Sequence, residues 1–190
     1  MAATTWNIDT SHADVQFSAK HMMVTTVRGK FSGVTGSLTL DEENPAASGG
    51  SISLQAATVN SGFEARDNHL KGADFFDVEQ YPEITFTATN VEPVGGNDYR
   101  VSGDLTIRDV TKAATFDVEF LGTYQGFGPA RRAGFHARTK IAREDWGLTW
   151  NVALESGAWL VGKEITLEID LAAEEAVAVE SAQESAASAA

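Results

Sequence analysis

The sequence predicts an all-β protein of about eight antiparallel strands, closed as a barrel or stacked as a two-sheet sandwich. Three observations carry this expectation. Apolar and polar residues alternate with period two along most of the chain, as on a strand with one buried and one solvated face. Turn signals such as Val-Gly-Gly-Asn-Asp at 94–98 separate the alternating runs, and short connections join neighbours antiparallel. The polar faces carry Glu119, Arg138, Lys140, Glu168 and Asp170. That is too much charge for lipid, so the apolar faces point inward and an outer-membrane barrel is excluded.

Each strand follows from its own alternation. Over 14–20, Val15, Phe17 and Ala19 face one way and Asp14, Gln16, Ser18 and Lys20 the other. A second strand fits over 31–40. Over 51–56, Ile52, Leu54 and Ala56 oppose Ser51, Ser53 and Gln55, and over 83–89, Ile84, Phe86 and Ala88 oppose three threonines. The run at 99–107 sets Tyr99, Val101, Gly103, Leu105 and Ile107 on the inner face. Phe116, Val118 and Phe120 follow, then Ala133, Phe135, Ala137, Thr139 and Ile141, then Ile165, Leu167, Ile169 and Leu171. The inward set mixes large rings with small residues (Ala19, Ala56, Ala88, Gly103, Ala133, Ala137). Small inward residues either leave room for a slim ligand, which an eight-stranded barrel can hold, or match large neighbours across the core.

One segment departs from strand periodicity. Residues 61–82 concentrate Glu64, Arg66, Asp67, His69 and Lys71, followed by Phe75, Phe76 and Pro82. Ser61 and Glu64 have the spacing of a capping box, which predicts a short helix. Glu64 and Lys71 match its dipole, Asp67 and Lys71 can pair at i, i+4, Phe63 and Leu70 share a buried face, and Gly72 stops it. Phe75 and Phe76 are expected as apolar plugs. Arg66 and His69 are unexplained by helix formation and remain as functional candidates.

Composition narrows the chemistry. A chain of 190 residues with ten Phe suits one domain with a sizeable core. There is no cysteine, which excludes disulfides, thiolate metal sites and a Cys nucleophile. The net charge of -13 argues against nucleic acid, whose partners are basic. The Ala/Glu/Ser stretch at 172–190 is expected to be a disordered acidic tail, leaving residues 1–171 as the folded unit. The N-terminus does not read as a secretory signal and no apolar run spans a membrane, which together suggest a cytoplasmic protein. The four histidines (His12, His21, His69, His136) lack metal-ligand spacing, and no nucleophile-elbow or phosphate-loop motif occurs. No metal, cofactor or catalytic group is expected. An enzyme with His69 and Asp67 as acid–base pair is the alternative, although residues two apart on a helix do not face each other. Trp146, Trp150 and Trp159 are either core anchors or a rim over an apolar chain, with Arg66 and Arg143 at its head.

The motifs themselves resemble the YceI-like family. Residues 6–31 carry its Trp-x-Ile-Asp, a His, a strand ending in Lys-His, and Val-x-Gly-x-Phe. Residues 66–86 carry Arg-Asp-x-His-Leu, Asp-Phe-Phe-Asp-Val and Tyr-Pro-x-Ile-x-Phe, and the runs at 101–112 and 143–150 are similar to two later family motifs. Asp109 stands where the family usually has Gly, and Ala13 where it has Ser. The resemblance implies an extended eight-stranded antiparallel lipocalin-like barrel with a short helix over one end. It also implies carriage or storage of a long-chain polyisoprenoid, isoprenoid quinone or similar lipid, without catalysis, and a possible homodimer. A barrel filled by its own side chains, serving in stress or assembly, is the third possibility. Strand parity and residue type nominate Phe17, Ile84, Phe86, Phe116, Phe135 and Leu167 as the wall, with Phe76 as plug. Arg66, His69, Arg143 and Trp146 are nominated at the mouth.

Overall fold

The computed structural model describes residues 3–125 and 128–176. These residues form strands β1 (Thr4–His21), β2 (Thr25–Phe31), β3 (Thr35–Leu40), β4 (Gly49–Gln55), β5 (Glu83–Gly95), β6 (Asp98–Ile107), β7 (Val110–Gln125), β8 (Arg131–Ala142) and β9 (Val161–Glu175). A single α-helix, α1 (Glu64–Lys71), lies between β4 and β5. Strands β3 to β9 pair in sequence order, and β1 closes the ring by pairing with β3 at its start and β9 along most of its length. The architecture is therefore a closed eight-stranded antiparallel barrel with one extra strand. Closure leaves no exposed sheet edge around the ring.

The extra strand is β2, which runs along the second half of β1 from Val15↔Phe31 to His21↔Thr25. The strand expected over 31–40 is in fact broken. Phe31 ends β2, Gly33 adopts a left-handed φ of 71°, and β3 starts at Thr35. Gly29 hid β2 from the alternation pattern, because it interrupts Val27 and Phe31 on the inner face. Its role is space: Gly29 sits opposite Phe17, and a Cβ there would come within 2.4 Å of the Phe17 ring. The turn at Asp109 has an equally local explanation. Arg108 and Asp109 connect β6 to β7, and Arg108 takes the positive φ of 58°, so Asp109 is not required to be glycine.

The far end of the barrel extends beyond the expected boundary at Leu171. Ala172, Ala173 and Glu174 pair with Gly134, Ala133 and Arg132 on β8, and Glu175 pairs with Trp6. Ala173 is fully buried, which explains how an Ala/Glu run becomes strand here. Residues 177–190 of the expected tail lie outside the described residues.

β1 changes register between Ile8 and Ala13, and the bulged residues build a polar knot. Ser11 donates its hydroxyl (2.5 Å) and backbone N–H (3.0 Å) to Asp9 Oδ1, and His12 Nδ1 lies 2.8 Å from Asp9 Oδ2. The Ser11 hydrogen bond, aided by His12, holds the Asp9 carboxyl at about 2 against an ordinary 3.8. Beside the knot, Trp6 is fully buried, its indole N–H donates to Thr4 Oγ1 at 2.8 Å, and the Arg131 guanidinium lies over its ring at 5.2 Å. Arg131 also pairs with Glu175 at 2.7 Å and Glu42 at 2.9 Å. Glu175 is the larger cause of a raised Arg131 pKa, and Arg131 lowers that of Glu175.

Two outcomes follow for stability. Trp6→Ala is expected to lower the unfolding free energy by about 3–5 kcal/mol in urea denaturation, through the buried cavity it leaves. Asp9 has a depressed folded pKa, so its contribution is present above pH 3.8 and lost as pH falls toward about 2. The difference in thermal midpoint between wild type and Asp9→Asn should therefore shrink across that acid window and stay constant above it.

Candidate functional site

Inward alternation from eight strands would fill a barrel of this size if every inner residue were large. Here it does not, and a cavity of about 780 Å³ occupies the interior. Its wall is mostly apolar. Phe17 (β1), Ile84 and Phe86 (β5), Phe116 (β7), Phe135 (β8) and Leu167 (β9) all line it, as does Phe76 from the segment after α1. Phe86 and Phe116 meet edge-to-face at 4.9 Å, and Phe31 joins Phe17 (5.6 Å) to Phe76 (5.4 Å). These rings form connected surface rather than isolated contacts.

The small inward residues divide into two groups. Ala19, Ala88 and Ala137 line the cavity and leave volume in it. Ala56 and Ala133 are buried away from it. Gly103 makes no room either: a Cβ there would fall 2.2 Å from the Thr87 carbonyl oxygen, so its smallness serves the close approach of β5 and β6.

The helix segment is built differently from its motif. The N-cap of α1 is Phe63, with no side-chain cap, so Ser61 and Glu64 form no capping box. Instead the Ser61 N–H (2.8 Å) and hydroxyl (2.5 Å) donate to Asp67 Oδ1. Arg66 then donates from Nε to Ser61 Oγ at 2.7 Å and from Nη2 to Ser61 O at 2.9 Å. The loop before the helix is thus tied down by the helix's own first turn. Asp67 is engaged there and does not pair with Lys71. Phe63 is exposed under the Arg66 guanidinium, 5.8 Å from its ring, rather than sharing a buried face with Leu70.

His69 lines the cavity, packed edge-on against Trp150 at 4.5 Å and Phe75 at 5.1 Å. Its Nε2 lies 2.9 Å from Asp74 Oδ2. The carboxylate partner of His69 is therefore Asp74, and the His69/Asp67 pair is not formed. Arg66 lines the same end of the cavity.

Two residues of the Arg-Glu-Asp-Trp run behave in opposite ways. Trp146 does not line the cavity. It is buried, and its indole N–H donates to the Leu105 carbonyl at 2.9 Å, which makes it a core anchor for the turn between β8 and β9. Arg143 is 2% exposed and lines the cavity. Its Nε donates to Gly162 O at 3.0 Å, and its Nη1 to Trp150 O at 3.0 Å and to Leu148 O. Burial pushes its pKa below the ordinary arginine value. Leu148, Trp150, Phe31 and Phe75 also line the cavity. Phe75 is one of the two expected plugs and Trp150 one of the three tryptophans expected as anchor or rim; Leu148 lies in a loop with no periodic signal to nominate it, and Ile165 and Ile169, also in the wall, share the parity of Leu167.

A YceI-like domain model matches residues 6–173. A UPF0312 protein of Staphylococcus aureus is 33% identical over 166 residues, covering 87% of this chain and 94% of the relative. Among solved structures, BcnA of Burkholderia cenocepacia superposes with a TM-score of 0.72 at 23% identity, covering 87% of this chain and 98% of BcnA. A polyisoprenoid-binding domain from Saccharophagus degradans, implicated in plant cell wall breakdown, superposes with a TM-score of 0.66 at 14% identity, covering 91% and 99%.

If cavity volume limits what the barrel holds, Ala137→Phe should obstruct it. Uptake of a fluorescent prenyl probe is expected to fall at least tenfold in that variant, read by titration, while the far-ultraviolet circular dichroism of the barrel is retained.

Proposed function

Since the chain belongs to the YceI-like family, we propose that its barrel binds, and carries or stores, a long-chain apolar lipid of polyisoprenoid or isoprenoid-quinone type, without catalysis. The observation that carries this reading is the apolar cavity of about 780 Å³ inside the ring, within the range of small-molecule sites. Apolar burial contributes about 0.8 kcal/mol for each methylene removed from water, so a long chain binds firmly with few polar contacts. The polyisoprenoid-binding description of one structural neighbour supports the same class of ligand. In this proposal Phe17, Phe76, Ile84, Phe86, Phe116, Phe135 and Leu167 hold the chain, and Arg66, His69 and Arg143 stand at its head, without Trp146.

Among the described residues no helix is long and apolar enough to cross a membrane. A cytoplasmic place of action and a homodimer belong to the proposal as the family resemblance implies them, and sedimentation velocity measures the second. An enzyme acting on a barrel-held substrate is the second reading. It is favoured by one contact, the His69–Asp74 pair at the cavity. Under it, His69→Gln would abolish turnover of the extracted ligand while sparing its retention.

Organic extraction of freshly purified protein, followed by mass spectrometry, is expected to yield a long-chain lipid. Removing that lipid should lower the thermal midpoint, and adding it back at about 100 times its Kd should restore about 2.7 kcal/mol of stability. A protein that yields no lipid and takes up no prenyl probe would overturn the reading.

A further inference from the structure

The large apolar residues that face solvent gather at one place. Nine are exposed among the described residues, and five of them, Met22, Met23, Val24, Val152 and Trp159, sit on two adjoining segments at 44% to 79% exposure. The turn between β1 and β2 supplies the first three, closed by the Val24 N–H on His21 O at 3.2 Å. The segment before β9 supplies the other two. Met22 N–H donates to Leu160 O at 2.8 Å, and Leu160 N–H donates to Val152 O at 2.9 Å. Ala153 in turn bridges to Trp159, so both segments form one surface. Single exposed apolar side chains are ordinary, whereas a contiguous group marks an interaction surface.

The turn is also costly to build. Met22 and Met23 have φ of 51° and 62°, the left-handed conformation that hairpin turns usually give to Gly or Asn. Neither methionine gains burial in the barrel, so folding does not account for the choice of residue.

Two observations name the occupant. First, the patch runs into the cavity: His21 and Val161 pair across β1 and β9, and both line the cavity together with Leu160. Second, the patch lacks the acidity of the rest. Residues 20–26 and 151–162 carry one base, Lys20, and one acid, Glu155, so with His21 neutral they bear no net charge in a chain of -13. An acidic protein is repelled by anionic surfaces, and this face is free of that barrier. A long apolar chain crosses water at a cost that grows with every methylene, so it passes best from a bilayer to a cavity whose end touches the bilayer.

We propose that the Met22–Val24 turn and the Val152/Trp159 segment dock the barrel on a lipid bilayer beside the end of its cavity. The docking rests on the reading that the cavity takes a long-chain lipid. Tryptophan suits the bilayer interface, flexible methionine adapts to an irregular surface, and the strength of such docking scales with the apolar area buried.

The experiment floats the delipidated full chain with phosphatidylcholine vesicles. The wild type is expected to float with them, and brominated phosphatidylcholine should quench fluorescence that is lost in Trp159→Phe. Met23→Glu/Val152→Glu should partition about tenfold less or weaker still, because charge is excluded from the apolar layer. Val94→Glu, which alters an exposed apolar residue of β5 outside the patch, should partition like the wild type. In the double variant a fluorescent prenyl probe should bind from solution as in the wild type, but its transfer from donor vesicles should slow about tenfold. A wild type that does not float overturns the docking, and if it still takes up the probe the carrier reading stands. Unchanged flotation of the folded double variant also overturns it. So does sedimentation velocity in which the double variant only converts a dimer to a monomer, since a second copy then covers the patch. Flotation without probe uptake keeps the docking and removes the carrier reading.

Discussion

A sheet becomes a barrel only if its first strand also pairs with its last, and here β1 meets that constraint by pairing with β9. One edge is shared between β3 at the start and β2 along the second half, and the other edge is held by β9. A regular strand could not serve all three, so the register slips at the bulge between Ile8 and Ala13. The polar groups that the bulge frees are gathered by Asp9, Ser11 and His12. Arg131 and Arg132 of β8 fasten the same region from the side, onto Glu175, Glu42 and Glu174. The seam is thus polar outside and sealed by Trp6 inside.

Closure is also what makes the interior a site. An open sheet with the same alternation would pack its apolar face against another layer, and its small residues would be filled from across. A ring has no second layer, so space left by Ala19, Ala88 and Ala137 remains as cavity. The long segment between β8 and β9 and helix α1 then cover one end. Both are held by contacts that serve architecture first: Trp146 to Leu105, Arg143 to three carbonyls, Ser61 to Asp67.

The charged helix shows how local motifs lose to tertiary geometry. Ser61 has the spacing of a capping residue, and Glu64 that of its partner. Yet the chain enters the helix with Phe63 in an extended conformation, and Ser61 binds Asp67 instead. The stop at Gly72 did form, with its N–H bonded to His69 O, because that bond depends only on neighbours in the chain. The pairing of His69 with Asp74 rather than Asp67 has the same origin, since the turn after the helix folds back onto it.

Strand parity and the all-β class were determined by the sequence itself, because side chains alternate faces on any strand whatever its neighbours do, whereas β2 and the break before β3 were not. The wall residues Phe17, Phe86, Phe116, Phe135 and Leu167 were legible for that reason. What parity does not encode is distance across the ring. Only the closed barrel decided that Ala137 borders empty space while Gly103 is pressed against a carbonyl, and that Trp146 anchors the core while Trp150 meets the cavity. Arg143 is the sharpest case. Its residue type announced a charge, but its carbonyl partners, its burial and its unpaired Nη2 exist only once residues 148, 150 and 162 are folded around it.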